Sequence, residues 1–270
     1  MNSKKLAWKI RRHGIEMTHL SKGSHIGAVL SIADIIAVLY NDIMTFSSKK
    51  PKMDDRDRFI LSKGHAGAAV YAALAEMGFF EVDYLKSHYS NGSKLSGHVS
   101  HKGVPGIELS TGSLGHGICV GAGMALAAKR DNKKHKVYVV VGDGECNEGS
   151  VWESALFANH FRLSNFVVIV DHNKLQSLDF CENTLELIDL AAKWKAFGWN
   201  VIEADGHDHD QLRNALLKNH HEKPTCIIAH TVKGKGISFM ENEVLWHYRD
   251  PQGDNYLNAI KELEEAYYEK

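Results

Sequence analysis

Cysteine and proline are both scarce, four of each among 270 residues. Cys119, Cys146, Cys181 and Cys226 stand far apart and form no C-x-x-C pair, which excludes a clustered zinc site and a secreted disulfide framework and leaves reduced thiols. With so few prolines, and no repeat or low-complexity tract, nothing marks a linker, so residues 1–270 are expected to form a single domain. An excess of one charge is missing too. The 32 Lys and Arg residues balance 33 Asp and Glu residues, which leaves neither a basic face for nucleic acid nor an acidic tail. No apolar run approaches the ~18 residues a membrane span needs, and the basic N-terminus, MNSKKLAWKIRRHG, runs into an amphipathic pattern rather than a signal-peptide core. A cytoplasmic protein without nucleic-acid or membrane partners is the expectation. Nor is there a G-x-G-x-x-G in the first strand-to-helix turn or a P-loop G-K-[ST], so a nucleotide-binding Rossmann or P-loop reading is set aside.

Histidine, by contrast, is abundant. There are 17, several beside glycines rather than on helical faces. The first third of the chain has apolar residues at helical spacing over Leu6 to Leu20, over Ile32 to Met44 with Ser31 placed to cap it, and over Ala68 to Met77 closed by Gly78. The middle changes to short β-branched runs at 136–144, 165–173, 199–206 and 224–231, which read as buried strands. Helical patterns at Ser150 to Phe161, Leu190 to Phe197 and Asp208 to His220 separate them. That alternation predicts an α/β fold with a mostly parallel β-sheet and helices on both faces, and such sheets bind ligands at the carboxyl ends of their strands.

The chemistry-bearing residues follow the strands. Gly142-Asp143-Gly144-Glu145 ends the first clear strand, and Asn173 ends the next, thirty positions on. A carboxylate and an amide oxygen are hard ligands, suited to a small octahedral cation that keeps phosphate oxygens and water in its other positions.

The run GDGECNEGSVWESALFANHFRLSNFVVIVDHNKLQ, 142–176, resembles the thiamine diphosphate fingerprint of the transketolase family. LSKGHAGAAVYAAL (61–74) and STGSLGHGICVGAGMAL (110–126) are similar to two further segments of that family, so the resemblance covers nearly the whole chain. It implies thiamine diphosphate and Mg2+, or another small divalent cation such as Ca2+ or Mn2+. Asp143 and Asn173 would hold the metal through side chains and Leu175 through its main-chain oxygen. The cofactor would touch His65, Gly112, Ser113, Leu114, Gly142, Asp143, Gly144, Glu145 and Asn173. His25, His98 and His247 map onto positions lining the substrate funnel and are the candidates for proton transfer. Glu148 and Glu153 map onto a carboxylate network near the subunit interface. The chain departs from the family pattern at Ser24, Ile26 and Gln176-Ser177-Leu178, departures that bear on the substrate rather than the cofactor.

Thiamine chemistry also needs a carboxylate beside the aminopyrimidine ring. In the transketolase family it belongs to a separate pyrimidine-binding domain, for which these 270 residues leave no room after the last predicted helix, 257–270. The resemblance therefore implies a heteromeric transketolase, an α2β2 assembly in which a C-terminal subunit supplies that domain, transferring a two-carbon ketol unit between sugars or sugar phosphates. Alternatives are a subunit resembling 1-deoxyxylulose-5-phosphate synthase or a 2-oxo acid dehydrogenase component, and a non-catalytic paralogue that retains the fold.

Overall fold

Five strands, β1 (Arg58–Leu61), β2 (Val137–Gly142), β3 (Phe166–His172), β4 (Asn200–Asp205) and β5 (Thr225–His230), form one sheet in a computed structural model that describes residues 1–218 and 222–268. The order is β1-β2-β3-β5-β4 and every pairing is parallel. Four of these strands are the ones expected. The fifth, β1, is only four residues long and lies between a charged loop and the LSKGHA segment, too short for a periodicity to show; it joins the edge of the sheet with Leu61 opposite Val140.

The helices are α1 (Ser3–Ser21), α2 (Ile26–Ser31), α3 (Ala33–Val38), α4 (Gly67–Glu76), α5 (His116–Arg130), α6 (Gly149–His160), α7 (Cys181–Thr184), α8 (Leu190–Ala196), α9 (His209–Leu217) and α10 (Asp254–Tyr268). Because successive side chains of a strand face opposite ways, β2 and β3 feed two cores. Tyr138, Val140, Val167 and Ile169 pack with α1 to α4, α9 and α10. Val139, Val141, Val168 and Val170 pack with α5, α6 and α8. Both faces of the sheet are thus covered, as a parallel sheet requires.

One expectation fails locally. The helix anticipated over Ile32 to Met44 is split into α2, a break at Ile32, α3 and a widened turn over Leu39–Ile43. Ser31 does not cap it. It is the last residue of α2, and its buried hydroxyl donates to Asp171 at 2.6 Å. Every residue of α2 and α3 is buried, so the stretch carries no polar face from which a boundary could be read. Elsewhere boundaries shift by one to three residues. Asp208 caps α9 through the Asp210 and Gln211 amides, and the predicted end of that helix, at 220, lies outside the described residues, as do 269–270 of the last one.

Candidate active site at the carboxyl edge of the sheet

The ends of β1, β2, β3 and β5 run into the segments 62–65, 142–145, 173–177 and 231–233, which bring their residues to one cavity of about 260 Å³. His25, His65, His98, Gly112, Leu114, Gly142, Asp143, Gly144, Glu145, Asn173, Leu175 and His247 line it. Lys63, Gln176 and Lys233 line it as well, though only LSKGHA and the K-G-K-G run after β5 hinted at the lysines in the sequence.

At one end lie three hard oxygens. Asp143 accepts from the Lys174 amide at 2.5 Å and the Gly144 amide at 2.7 Å. Asn173 gives its amide N–H groups to Asp171 at 3.0 Å and Ser31 at 3.2 Å, which fixes its side-chain oxygen on the side of the Leu175 amide. The Leu175 carbonyl accepts from Lys233 Nζ at 2.9 Å. Burial, then repulsion from Asp171, raises the Asp143 carboxyl above its ordinary range, the condition of an anion that a cation would relieve. A carboxylate, an amide oxygen and a carbonyl suit a small divalent cation that retains water or phosphate oxygens. At the same end Gln176 Nε2 is buried with no close hydrogen-bond partner among the described residues, and a Cβ on Gly144 would stand 3.0 Å from the Gln176 side chain. The residues present therefore fit a diphosphate with its metal.

The lysines are held by chains of buried contacts. Lys63 pairs with Asp171 at 2.5 Å, both almost wholly buried. Lys233 donates to the Leu175 and Gln176 carbonyls and contacts His247 Nδ1 at 3.2 Å. Its loop is pinned from below. The Val232 amide donates to His207 Nε2 at 2.9 Å, His207 Nδ1 meets Asp34 at 2.7 Å, and Arg11 donates to the Lys235 carbonyl at 3.0 Å. Burial and the neighbouring Lys63 charge lower the Lys233 ammonium to about 8.

Four histidine rings close the other end. The His25 ring stands 5.2 Å from His65, 5.5 Å from His98 and 4.8 Å from His247 between centroids. Burial, with repulsion from the lysines and from one another, lowers His25 to about 4, His247 to about 3 and His65 well below its usual value, while burial alone lowers His98. All four are neutral imidazoles at neutral pH, each with one ring nitrogen able to accept a hydrogen bond. His25 sits at φ 75, a left-handed conformation that a residue with a side chain adopts at a cost, immediately before α2.

Three of the sequence candidates stand apart. Ser113, Glu148 and Glu153 are exposed and do not line the cavity. Glu145 lines it, but its carboxylate is already engaged by the Ser62 hydroxyl at 2.5 Å, the Gly115 amide at 2.8 Å and the Gly142 amide at 3.1 Å, so it staples three segments of the wall together.

The family described as transketolase, thiamine diphosphate binding domain, matches residues 2–263. The chain is 41% identical over 259 residues to an apulose-4-phosphate transketolase subunit of Phocaeicola vulgatus, covering 95% of this chain and 92% of that protein. It is 39% identical to a 6-deoxy-6-sulfo-D-fructose transketolase subunit of a Clostridium species, covering 89% and 88%. Among solved structures, transketolase from Campylobacter jejuni superposes with a TM-score of 0.92 at 29% identity, over 98% of this chain but 43% of that one. The Pichia stipitis enzyme bound to sedoheptulose-7-phosphate superposes with a TM-score of 0.90 at 30% identity, over 98% and 40%. The chain thus spans about two fifths of the solved transketolases and nearly the full length of the named subunits.

Proposed function

The chain belongs to the transketolase family, and from that premise we propose that it is the cofactor-binding subunit of a two-chain transketolase, transferring a two-carbon ketol unit from a ketose to an aldose. The observation that carries this reading is the convergence, in one cavity, of three hard-oxygen donors, two lysines and four neutral histidines. Relatives of nearly the same length are named as subunits of such enzymes, which supports a companion chain carrying the pyrimidine-binding domain. Those names favour ketol transfer over the other thiamine diphosphate enzymes, and the intact donor set argues against a non-catalytic paralogue.

When bound, thiamine diphosphate supplies a nucleophilic carbon and an electron sink for cleavage of the bond next to a carbonyl. Asp143, Asn173 Oδ1 and the Leu175 carbonyl would hold Mg2+. Lys63 and Lys233 would balance the charge of the diphosphate, and the Gln176 amide would help to orient it. His25, His98 and His247 would take the hydroxyl proton of the donor sugar as neutral imidazoles and, as the imidazolium so formed, return it to the acceptor. The four free cysteines accord with a cytoplasmic setting, and an α2β2 stoichiometry would pair each such subunit with one companion.

The test is to isolate the chain from its native cells with magnesium and thiamine diphosphate present, identify the proteins that accompany it by mass spectrometry, and assay the complex with ketose donors. A stoichiometric companion with a pyrimidine-domain sequence, and ketol transfer that neither chain performs alone, is expected. A lone chain that retains no cofactor would overturn the reading.

A further inference from the structure

Behind the histidine end of the active site lies a second, smaller cavity of about 30 Å³. His25, His65 and His98 form its inner wall and face both cavities. Ser24, His88 and Tyr89 help to form the rest. His88 is 4% exposed; the Met17 backbone is the one polar group that draws on its ring, and neither ring nitrogen has a close hydrogen-bond partner among the described residues. Tyr89 carries a left-handed φ of 57 and packs its ring over Gly97, where a Cβ would meet it at 2.8 Å. Two residues strained in the same sense, His25 and Tyr89, thus wall one small polar space, and strain of that kind persists only where the surrounding structure enforces it. The volume exceeds the roughly 10–15 Å³ that one water requires, and a buried imidazole nitrogen facing such a space is one of the polar partners that retain it.

We propose that this cavity is a site for ordered water and that His88 is a positioning residue acting through that water on His25. Ser24 Oγ lies 2.9 Å from His25 Nδ1. For His25 to accept a proton at Nε2, its Nδ1 must carry the hydrogen and donate it to Ser24 Oγ. The Ser24 hydroxyl must then donate elsewhere, and the water is placed to accept from it and to donate in turn to an unprotonated nitrogen of His88. The chain of donors runs in one direction, from His25 through Ser24 and water to His88, and it selects the His25 tautomer whose Nε2 lone pair is free. The fold lends support, because the same strained backbone that turns His25 toward the substrate cavity sets Ser24 beside the smaller one.

The catalytic meaning of this relay rests on the ketol-transfer reading, but its geometry does not. The experiment compares the wild-type complex with His88→Phe and Ser24→Ala, by crystallography at a resolution that shows water, by 15N shifts of histidine-labelled protein, and by steady-state kinetics. Expected are water density within hydrogen-bonding distance of His88, a His25 ring protonated at Nδ1, and in both variants a mixture of tautomers with kcat lowered about tenfold while the Kd for thiamine diphosphate stays unchanged. His88→Gln, which keeps a polar group in the cavity, should recover most of the loss and covers the case in which His88→Phe does not fold. A dry cavity in the wild type, or His25 in the same tautomer with kcat unchanged in the variants, would overturn the proposal. A complex with no ketol transfer at all would remove the function proposed above, and the density and tautomer would then decide the relay alone.

Discussion

The Lys63–Asp171 pair offers the sharpest test of how the site is built. Asp171 is 0% exposed and Lys63 3% exposed, with Nζ and Oδ2 2.5 Å apart. Burial by itself would raise the Asp171 carboxyl; the ammonium, followed by the Ser31 and Thr231 hydroxyls at 2.6 and 2.5 Å, overcomes this and holds it below its ordinary range. Lys63→Met keeps most of the aliphatic volume and removes the charge, leaving a carboxylate in the core with neutral donors alone. Such an uncompensated buried charge costs about 3–5 kcal/mol. For a chain of this size even 3 kcal/mol lowers Tm by roughly 6–12 °C. In wild type, a folded carboxyl held low contributes stability above its unfolded value and loses it as pH falls. In the variant the carboxyl is pushed up instead, so the penalty should shrink from pH 8 to pH 5 as a proton neutralises it. Asp171→Asn leaves the ammonium at the cavity wall, within reach of water, and should cost less, about 1–3 kcal/mol. Urea unfolding of the four proteins in the double-mutant cycle measures the coupling. A Lys63→Met cost below about 1 kcal/mol, or a double variant whose loss is the sum of the singles, would refute the reasoning.

Asp143→Ala should abolish magnesium-dependent binding of thiamine diphosphate to the assembled complex, read by calorimetry, with the secondary structure intact by circular dichroism; wild-type affinity would remove Asp143 from the metal site. Glu145→Ala leaves the Ser62 hydroxyl and the Gly115 and Gly142 amides without their acceptor, and should destabilise the chain by about 2–4 kcal/mol in chemical denaturation. Glu145→Gln, which retains one acceptor oxygen, should cost less, and equal losses for the two would count against the staple. Acid should weaken the fold between about pH 6.5 and 4, because His25 and His172 are lowered to about 4 and His247 to about 3, so the unfolded chain binds protons the folded one refuses. Asp143 and Glu145, raised by burial, act in the opposite sense as pH falls through the range just above ordinary carboxyl values, and so offset part of this loss. The slope is at most about 1.4 kcal/mol per pH unit for each such histidine. His172→Gln should flatten it, and a Tm independent of pH across that window would show the rings to be solvated.

Much of this architecture is legible in the residues, and the illegible parts share a cause. Val-rich runs ending in glycine or a polar residue declare strands, because β-branched side chains pack well on a pleated surface buried on both faces. The ends of those runs hold Asp143 and Asn173, so strand order and site position are read together. The break at Ile32 is invisible because α2 and α3 are buried on every side, and a uniformly apolar run has no phase. Lys63, Asp171 and Thr231 escape a sequence reading for another reason. They meet only when β1, β3 and β5 are brought into register, at sequence separations of 60 and 108 residues, and no local pattern encodes such a contact. Glu145 adds a role that the fingerprint does not disclose, since besides lining the cavity it ties three segments of its wall together.

That commitment of carboxylates bears on the companion chain proposed above. Activation of thiamine requires an acid group whose proton is shared with the aminopyrimidine ring, and such a group must be free to reach it. Among the described residues that line the cavity the carboxylates are Asp143 and Glu145. Asp143 is bound by two main-chain amides, one on each carboxylate oxygen. Glu145 is held by one hydroxyl and two amides. Asp171 lies deeper, closed off by Lys63, Ser31, Thr231 and Asn173. Glu148 and Glu153 are exposed outside the cavity. Freeing any of the three buried groups would break the hydrogen bonds that shape this end of the cavity, so the required carboxylate has to come from outside the residues described here, as the companion chain proposed above would supply it. A complex reconstituted from this chain and its companion should therefore lose ketol transfer, yet keep most of its cofactor affinity, when a single glutamate of the companion is changed to glutamine. If no companion carboxylate behaved in that way, one of the groups described here would have to be mobile, and the hydrogen bonds that define this cavity would not be those of the working enzyme.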